Sequence, residues 1–249
     1  NSSGVMWTRA VKAGLLRHNE NLALVDGFSS SEAIGLGSSV MTKDEIIEVA
    51  SFTLGAHCKV FTEDHREVQP GSGEAGMVAV TGNLPVGYYK DDEKTAKTFP
   101  VIDGVRWSIP GDWVQVEADG SLTLLGRGSN CINTAGEKVY PEEVEEALKH
   151  HEAVADALVV GVPDERWGQR VCAALMTEHP DPDPAGVRES VLAACREGLA
   201  PAKRPRTIVV TDALPLTPNG KIDREAVRVL VSAFPNDSGR SDSDPGPNP

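Results

Sequence analysis

The sequence predicts a mixed α/β and α+β fold in two parts. Between about residues 50 and 125, short apolar runs (HCKVF, GMVAVTG, DWVQVEADGSLTLLG) alternate with turn residues, which reads as a compact β-rich unit. From residue 131 the texture shifts to helical periodicity separated by continuous apolar runs, which reads as a small α+β domain over 131–232. Ahead of both, a helical stretch leads through a short apolar strand into a Gly/Ser turn, the place where α/β proteins put ligands.

Each element has its own signal. Over 8–20, Val11, Leu15 and Leu16 fall on one helical face, and Leu22, Leu24 and Val25 begin a strand that ends in the polar turn DGFSSSE. Asp119-Gly120 between alternating runs predicts a hairpin. GSGEAG (71–76) is acidic and lacks a G-K-[ST] ending, so it reads as a turn and not a phosphate loop. In YPEEVEEALKHH, Pro141 suits the first helical position and Glu142 and Glu143 suit the first turn. Val144, Leu148 and His151 give that helix its inner side. ADALVVGVP, VCAALMTEH and TIVVT read as buried strands. Residues 184–199 repeat Val187, Val191, Cys195 and Leu199 at helical spacing, and PLTPNGKIDREAVRVL is a turn into a last helix. The tail over 233–249 has the composition of a disordered segment.

The 249 residues suffice for one large domain or two smaller ones, and 40% hydrophobic content supplies a core. A net charge of −13 argues against a nucleic-acid backbone as partner. No apolar run reaches spanning length and no signal peptide is visible. The chain opens on Asn1 in mid-pattern, so a fragment of something longer is expected. Cys58, Cys131, Cys172 and Cys195 lie far apart with no C-x-x-C pair, which predicts free thiols in a reducing, cytoplasmic compartment; the adjacent His pairs lack metal spacing, so zinc is not expected.

Three short stretches could carry chemistry, and each has a plainer reading. In DGFSSSE, Phe28 could stack on a base, the serines could donate to phosphate and Glu32 could hold Mg²⁺; the plainer reading is a polar βα loop with a helix cap. In WSIPGD, Asp112 could accept ribose hydroxyls; the plainer reading is a Pro-Gly turn. In Pro218-Asn219-Gly220-Lys221, a tight Asn-Gly turn could present Lys221 to anionic oxygens; the plainer reading is a solvated lysine.

Taken in order, with GYYKDDEKTAKTF (87–99) and GRGSNCINTAGEKVYPEEVE between them, these stretches resemble the motifs of the adenylate-forming superfamily over about residues 1–230. The wording is most similar to that of actinobacterial acyl-CoA synthetases for fatty or steroid-type acids. The resemblance implies the C-terminal portion of a large AMP-binding domain (1–125), a hinge (126–130) and a small mobile C-terminal domain (131–232). It implies ATP, Mg²⁺ and coenzyme A as ligands, with a carboxylic acid activated as an acyl-adenylate and passed to the thiol.

Residue by residue, the resemblance sets Phe28 against adenine with Asp26 and Gly27 beside it, Ser31 on phosphate, Glu32 on Mg²⁺, and Asp112 on ribose with Arg127 alongside. Lys221 becomes the mobile catalytic lysine, Ser129 the pivot, and Ala135, Gly136 and Lys138 the coenzyme A side. Ser129 stands where the family often has Asp or Lys, Asn130 is uncharged, and Pro110 replaces a threonine. The family's upstream phosphate loop is absent from this sequence, so the missing half is expected in the same or a second polypeptide. A carrier-protein thiol as acceptor, luciferase-like oxygenation and a non-catalytic remnant are the other readings.

Overall fold

The structure, a computed structural model, describes residues 1–3, 9–19, 21–43, 51–177 and 183–234. The tail expected to be disordered lies outside the described residues from 235 onward. The chain divides into two compact units, Asn1–Gly128 and Ser129–Pro249.

The N-terminal unit begins with β1 (Ser2–Ser3), α1 (Arg9–His18), β2 (Leu24–Phe28), β3 (Gly37–Met41) and β4 (Ser51–Leu54). It continues with β5 (Cys58–Phe61), β6 (Ala75–Val80), α2 (Asp92–Thr98), the small β7 (Val101–Ile102) and β8 (Val105–Arg106) hairpin, β9 (Asp112–Val116) and β10 (Ser121–Arg127). Its main sheet runs β1-β2-β3-β4-β10-β9-β6-β5. β2 and β3 pair antiparallel, so residues 29–36 join two strands and are not the βα loop of the plainer reading. The strand also extends further than Val25: Asp26, Gly27 and Phe28 belong to β2.

Alternation along β2 sends Leu24, Asp26 and Phe28 inward. Phe28 joins Leu36, Phe52, Val78, Val114 and Leu122 in the main core. Helix α1 forms where expected, but its buried face differs. Lys12 and Leu16 are buried, whereas Val11 and Leu15 are largely exposed. The reason is electrostatic. Lys12 Nζ lies 2.5 Å from Asp26 Oδ2, and both side chains are almost wholly withdrawn from water. A buried charge needs a buried partner, so the ion pair sets the rotation of the helix.

The C-terminal unit contains β11 (Ile132–Thr134), β12 (Glu137–Val139), α3 (Pro141–Lys149), β13 (Asp156–Asp164), β14 (Gly168–Met176), α4 (Pro184–Gly198), β15 (Thr207–Thr211) and α5 (Arg224–Ser232). β13 and β14 pair antiparallel along their whole length, and β15 joins β14 in parallel. Val144 and Leu148 of α3 and Val187 and Val191 of α4 pack with Val159, Ala173 and Ile208 on one face of this sheet. Val227 and Val231 of α5 pack with Leu158, Val160 and Cys172 on the other. Burial of both faces explains why β13 and β14 read as unbroken apolar runs. Cys58, Cys172 and Cys195 are buried free thiols, and burial pushes all three up in pKa.

Replacing Lys12 by Met should strand the Asp26 carboxylate and destabilise the N-terminal unit by about 3–5 kcal/mol in a denaturant titration. The double change Lys12→Met with Asp26→Leu should recover most of that loss, because both desolvated charges then go together.

Candidate functional site

The residues singled out from the sequence fall in both units. In the N-terminal unit the anchor is the β9–β10 hairpin. Glu117 N–H donates to Ser121 O at 2.8 Å and Gly120 N–H donates to Glu117 O at 2.9 Å, with Gly120 at φ +84°. This is a three-residue loop closed by a left-handed glycine. At the other end Asp112 pairs with Arg127, after a register shift between Leu124 and Gly126. Arg127 Nε donates to Asp112 Oδ1 at 3.1 Å. Burial pushes the Asp112 carboxyl up, Arg127 pulls it down, and the charge of Glu32 adds to the upward push. Glu32, Asp112 and Arg127 are thus within electrostatic reach of one another. Pro110 followed by Gly111 at φ +93° has the residue pattern of a type II turn at the entrance to β9. Gly128 is tightly fitted there, since an added Cβ would stand 2.7 Å from Trp113 Nε1.

Glu32 is held from two directions. Tyr88 Oη donates to its Oε1 at 2.7 Å, and Ser108 Oγ donates to its backbone carbonyl at 2.7 Å. The Tyr88 hydrogen bond is the main cause holding the Glu32 carboxyl below its ordinary pKa, with Ser30 and Arg127 also contributing against a smaller effect of burial. Tyr88 is braced in turn by Lys94, whose Nζ lies 4.0 Å from the ring centroid, and by Phe99 at 6.0 Å between centroids. Lys94 sits in α2, whose cap Asp91 accepts from the Lys94 N–H at 3.0 Å.

The rest of the DGFSSSE stretch splits by strand parity. Phe28 packs against Phe52 at 5.4 Å between ring centroids, so the ring that the resemblance sets against adenine has its main partner in the core. Asp26, set near the adenine amino group, turns inward to Lys12. Gly27 is half-buried in the strand, Ser31 is exposed, and Glu32 is half-buried.

In the C-terminal unit, Ala135 (φ +50°) and Gly136 (φ +85°) form the two-residue turn between β11 and β12. Two successive left-handed residues make the type I′ turn that suits right-twisted strands. Nothing lies within 4 Å of where a Gly136 Cβ would be, so within this unit its glycine answers a backbone requirement. Ala135 N–H donates to Trp167 O at 2.9 Å, and the Trp167 ring is approached by the guanidinium groups of Arg166 at 4.7 Å and Arg206 at 4.0 Å. Lys138 is exposed on β12, and Ser129 is exposed beside Asn130.

Lys221 ends a hairpin loop of the same design as the β9–β10 turn. Thr217 N–H donates to Lys221 O at 2.7 Å and Gly220 N–H to Thr217 O at 2.9 Å. Only Gly220, at φ +74°, is left-handed, so the turn centres on Pro218-Asn219 and not on the expected Asn-Gly pair. Leu216 and Ile222 bridge across the base of the loop. Lys221 is exposed, and its ammonium group makes no ion pair among the described residues. Three residues on, Arg224 donates to Glu145 Oε1 at 2.7 Å, to Val159 O at 2.8 Å and to Glu142 Oε1 at 3.0 Å.

Tyr88, Ser108 and Arg224 lie in segments that the sequence singles out, but their roles appear only in the folded chain. Nothing local marks them, because their partners lie 56, 76 and 79–82 residues away.

Residues 143–221 match the family model of the AMP-binding enzyme C-terminal domain. A Mycolicibacterium smegmatis medium/long-chain-fatty-acid–CoA/3-oxocholest-4-en-26-oate–CoA ligase is 42% identical over 237 residues, which cover 95% of this chain and 42% of the relative. A Rhodococcus rhodochrous 3-oxocholest-4-en-26-oate–CoA ligase is 43% identical over 223 residues, 89% of this chain and 40% of that one. Among solved structures, an anthranilate CoA ligase in complex with anthranoyl-AMP superposes with a TM-score of 0.76 at 25% identity, covering 94% of this chain and 45% of that one. The chain therefore spans less than half the length of the curated relatives it matches.

Replacing Gly220 by Ala should cost about 1 kcal/mol, because an L-residue must then hold a left-handed conformation. Asn at the same position should cost less, since its side chain tolerates that region. The midpoint shift of the isolated chain in urea reads both.

Proposed function

We propose that this chain is the C-terminal part of an AMP-forming acyl-CoA ligase acting on a fatty or steroid-type carboxylic acid in the cytoplasm, where its free thiols stay reduced. The observation that carries the proposal is a division of labour. Glu32, Asp112 and Arg127 converge in one unit, while Lys221 is presented on a glycine-closed loop in the other. The similar ligases supply the reaction class.

In the first half-reaction the substrate carboxylate attacks the α-phosphorus of ATP and displaces pyrophosphate. Asp112 accepts from the ribose hydroxyls, and Arg127 holds that carboxylate in place. Ser31 donates to phosphate. Phe28 and the strand residues Asp26 and Gly27 shape the adenine side. Lys221 bridges the carboxylate and α-phosphate as negative charge builds. In the second half-reaction the small unit turns about Ser129, Lys221 withdraws, and the Ala135–Gly136 turn with Lys138 faces the coenzyme A thiol, which displaces AMP. Covalent catalysis is not required; positioning and charge neutralisation carry the rate.

A magnesium ion fits Glu32. Mg²⁺ in nucleotide sites takes one or two carboxylates and completes its shell with phosphates and water. Glu32 is partly exposed and is held in its ionised form by Tyr88. The ion would neutralise phosphate charge beside it.

The upstream half, fused or separate, must supply the phosphate loop and most of the acyl pocket. The isolated chain should therefore show no ATP–pyrophosphate exchange above background, and robust exchange would sink the proposal. In the complete ligase, Lys221→Ala should lower adenylation by at least about a hundredfold while largely sparing thioester formation from supplied acyl-adenylate. Equal loss in both half-reactions would contradict the role given to Lys221.

A further inference from the structure

Arg224 lies at the first position of α5, immediately after the cap Asp223 and three residues beyond Lys221. Its side chain is 17% exposed, yet it carries a full charge into the C-terminal unit. The guanidinium satisfies three acceptors at once: Glu145 Oε1, the carbonyl of Val159, and Glu142 Oε1. Both carboxylates belong to α3, and Val159 belongs to β13. Glu145 Oε1 also accepts from the Val159 N–H at 2.9 Å, so the carboxylate, the strand and the arginine lock together.

The network does not end at α3. Glu142 Oε1 also accepts from Asn130 Nδ2 at 3.2 Å. Asn130 is the residue next to Ser129. Two side chains, Glu142 and Arg224, therefore connect the neighbour of the pivot to the base of the lysine loop, across 94 residues of sequence (224 − 130). Arginine suits this task and lysine would not, because its planar fork reaches two carboxylates and a carbonyl in fixed directions. Buried charge pairs contribute little net stability, so stability alone is a weak account of this cluster.

We propose that Arg224 is a positioning residue for Lys221: through Glu142 and Asn130 it ties the lysine loop to the pivot, so that the two move as one body. The proposal rests on the reading of Lys221 as the adenylation lysine. It also gives Asn130 a purpose. An acid at that position would face Glu142 with like charge, whereas the amide donates to it.

The test uses Arg224→Lys, which keeps the charge and loses the fork. In the chain itself, hydrogen exchange should speed up by about tenfold in two separate segments, 214–223 and 129–133, while β13 and β14 stay protected. Faster exchange confined to 214–223 would overturn the link to the pivot. In the complete ligase, the same variant should lower ATP–pyrophosphate exchange at saturating substrates by on the order of tenfold to a hundredfold and spare thioester formation from supplied acyl-adenylate. Equal loss of both half-reactions would make Arg224 a structural residue only. Should Arg224→Lys not fold, Glu142→Gln keeps an acceptor for both partners, removes the charge and reads the same link. Lys221→Ala run in parallel separates the two ideas. If that variant leaves exchange intact, the reading of Lys221 fails, while the coupled hydrogen exchange still reports on the strut.

Discussion

The pairing of β9 with β10 is the constraint on which the N-terminal unit depends. In the sheet order these two strands stand between β1–β4 on one side and β5–β6 on the other, and among the described residues no other strand bridges the two groups. The hairpin loop fixes their register at one end. At the other, the shift near Gly126 decides which residue faces Asp112. A strand slipped by one residue turns every side chain to the opposite face. The bulge thus restores the alignment that sets Arg127 against Asp112, at the end of the strand that delivers the chain to Ser129.

Turn chemistry made the fold readable. Asp119-Gly120 announced a hairpin and Asn219-Gly220 a tight turn, and both turns are there. Both loops use three residues closed by one left-handed glycine, and not the two-residue type I′ turn that Asp-Gly and Asn-Gly pairs favour. The true two-residue turn is Ala135-Gly136, which lacks the favoured Asn or Asp at its first position. Dipeptide identity therefore located the turns without settling their geometry. Loop length is fixed by the register of the flanking strands, and register depends on tertiary packing. Periodicity did better in the C-terminal unit, where α3, α4, β13, β14, β15 and α5 lie where their patterns placed them, although α3 ends at Lys149 and leaves His151 in the turn beyond it. Those elements are buried mainly by apolar faces, although α3 also buries Glu145 against Arg224 of α5.

Polar burial was not legible. A helical wheel assigns Lys12 to solvent and Val11 to the core, and the structure reverses both. Asp26, fourteen residues on, decides the matter, and no pattern within α1 reports that partner. Tyr88, Ser108 and Arg224 were hidden for the same reason. Each makes its defining contact with a residue more than fifty positions away. Side-chain hydrogen bonds between distant segments have no period and no spacing, so only the folded chain displays them.

The DGFSSSE stretch shows how a motif divides its work. Strand alternation commits Asp26 and Phe28 to the interior, one to a buried ion pair and one to an aromatic contact. The chain leaves the strand after Phe28, and Ser31 and Glu32 fall in the connection, where parity no longer binds them. Glu32 then needs support from elsewhere, and Tyr88 and Ser108 supply it from two other segments. The motif's first half thus anchors and its second half presents. A substitution in the first half acts through the position of the strand. A substitution in the second acts on side chains that the fold leaves partly exposed. The two halves therefore fail in different ways: loss of Asp26 or Phe28 removes a buried contact, whereas loss of the Ser31 side chain removes none.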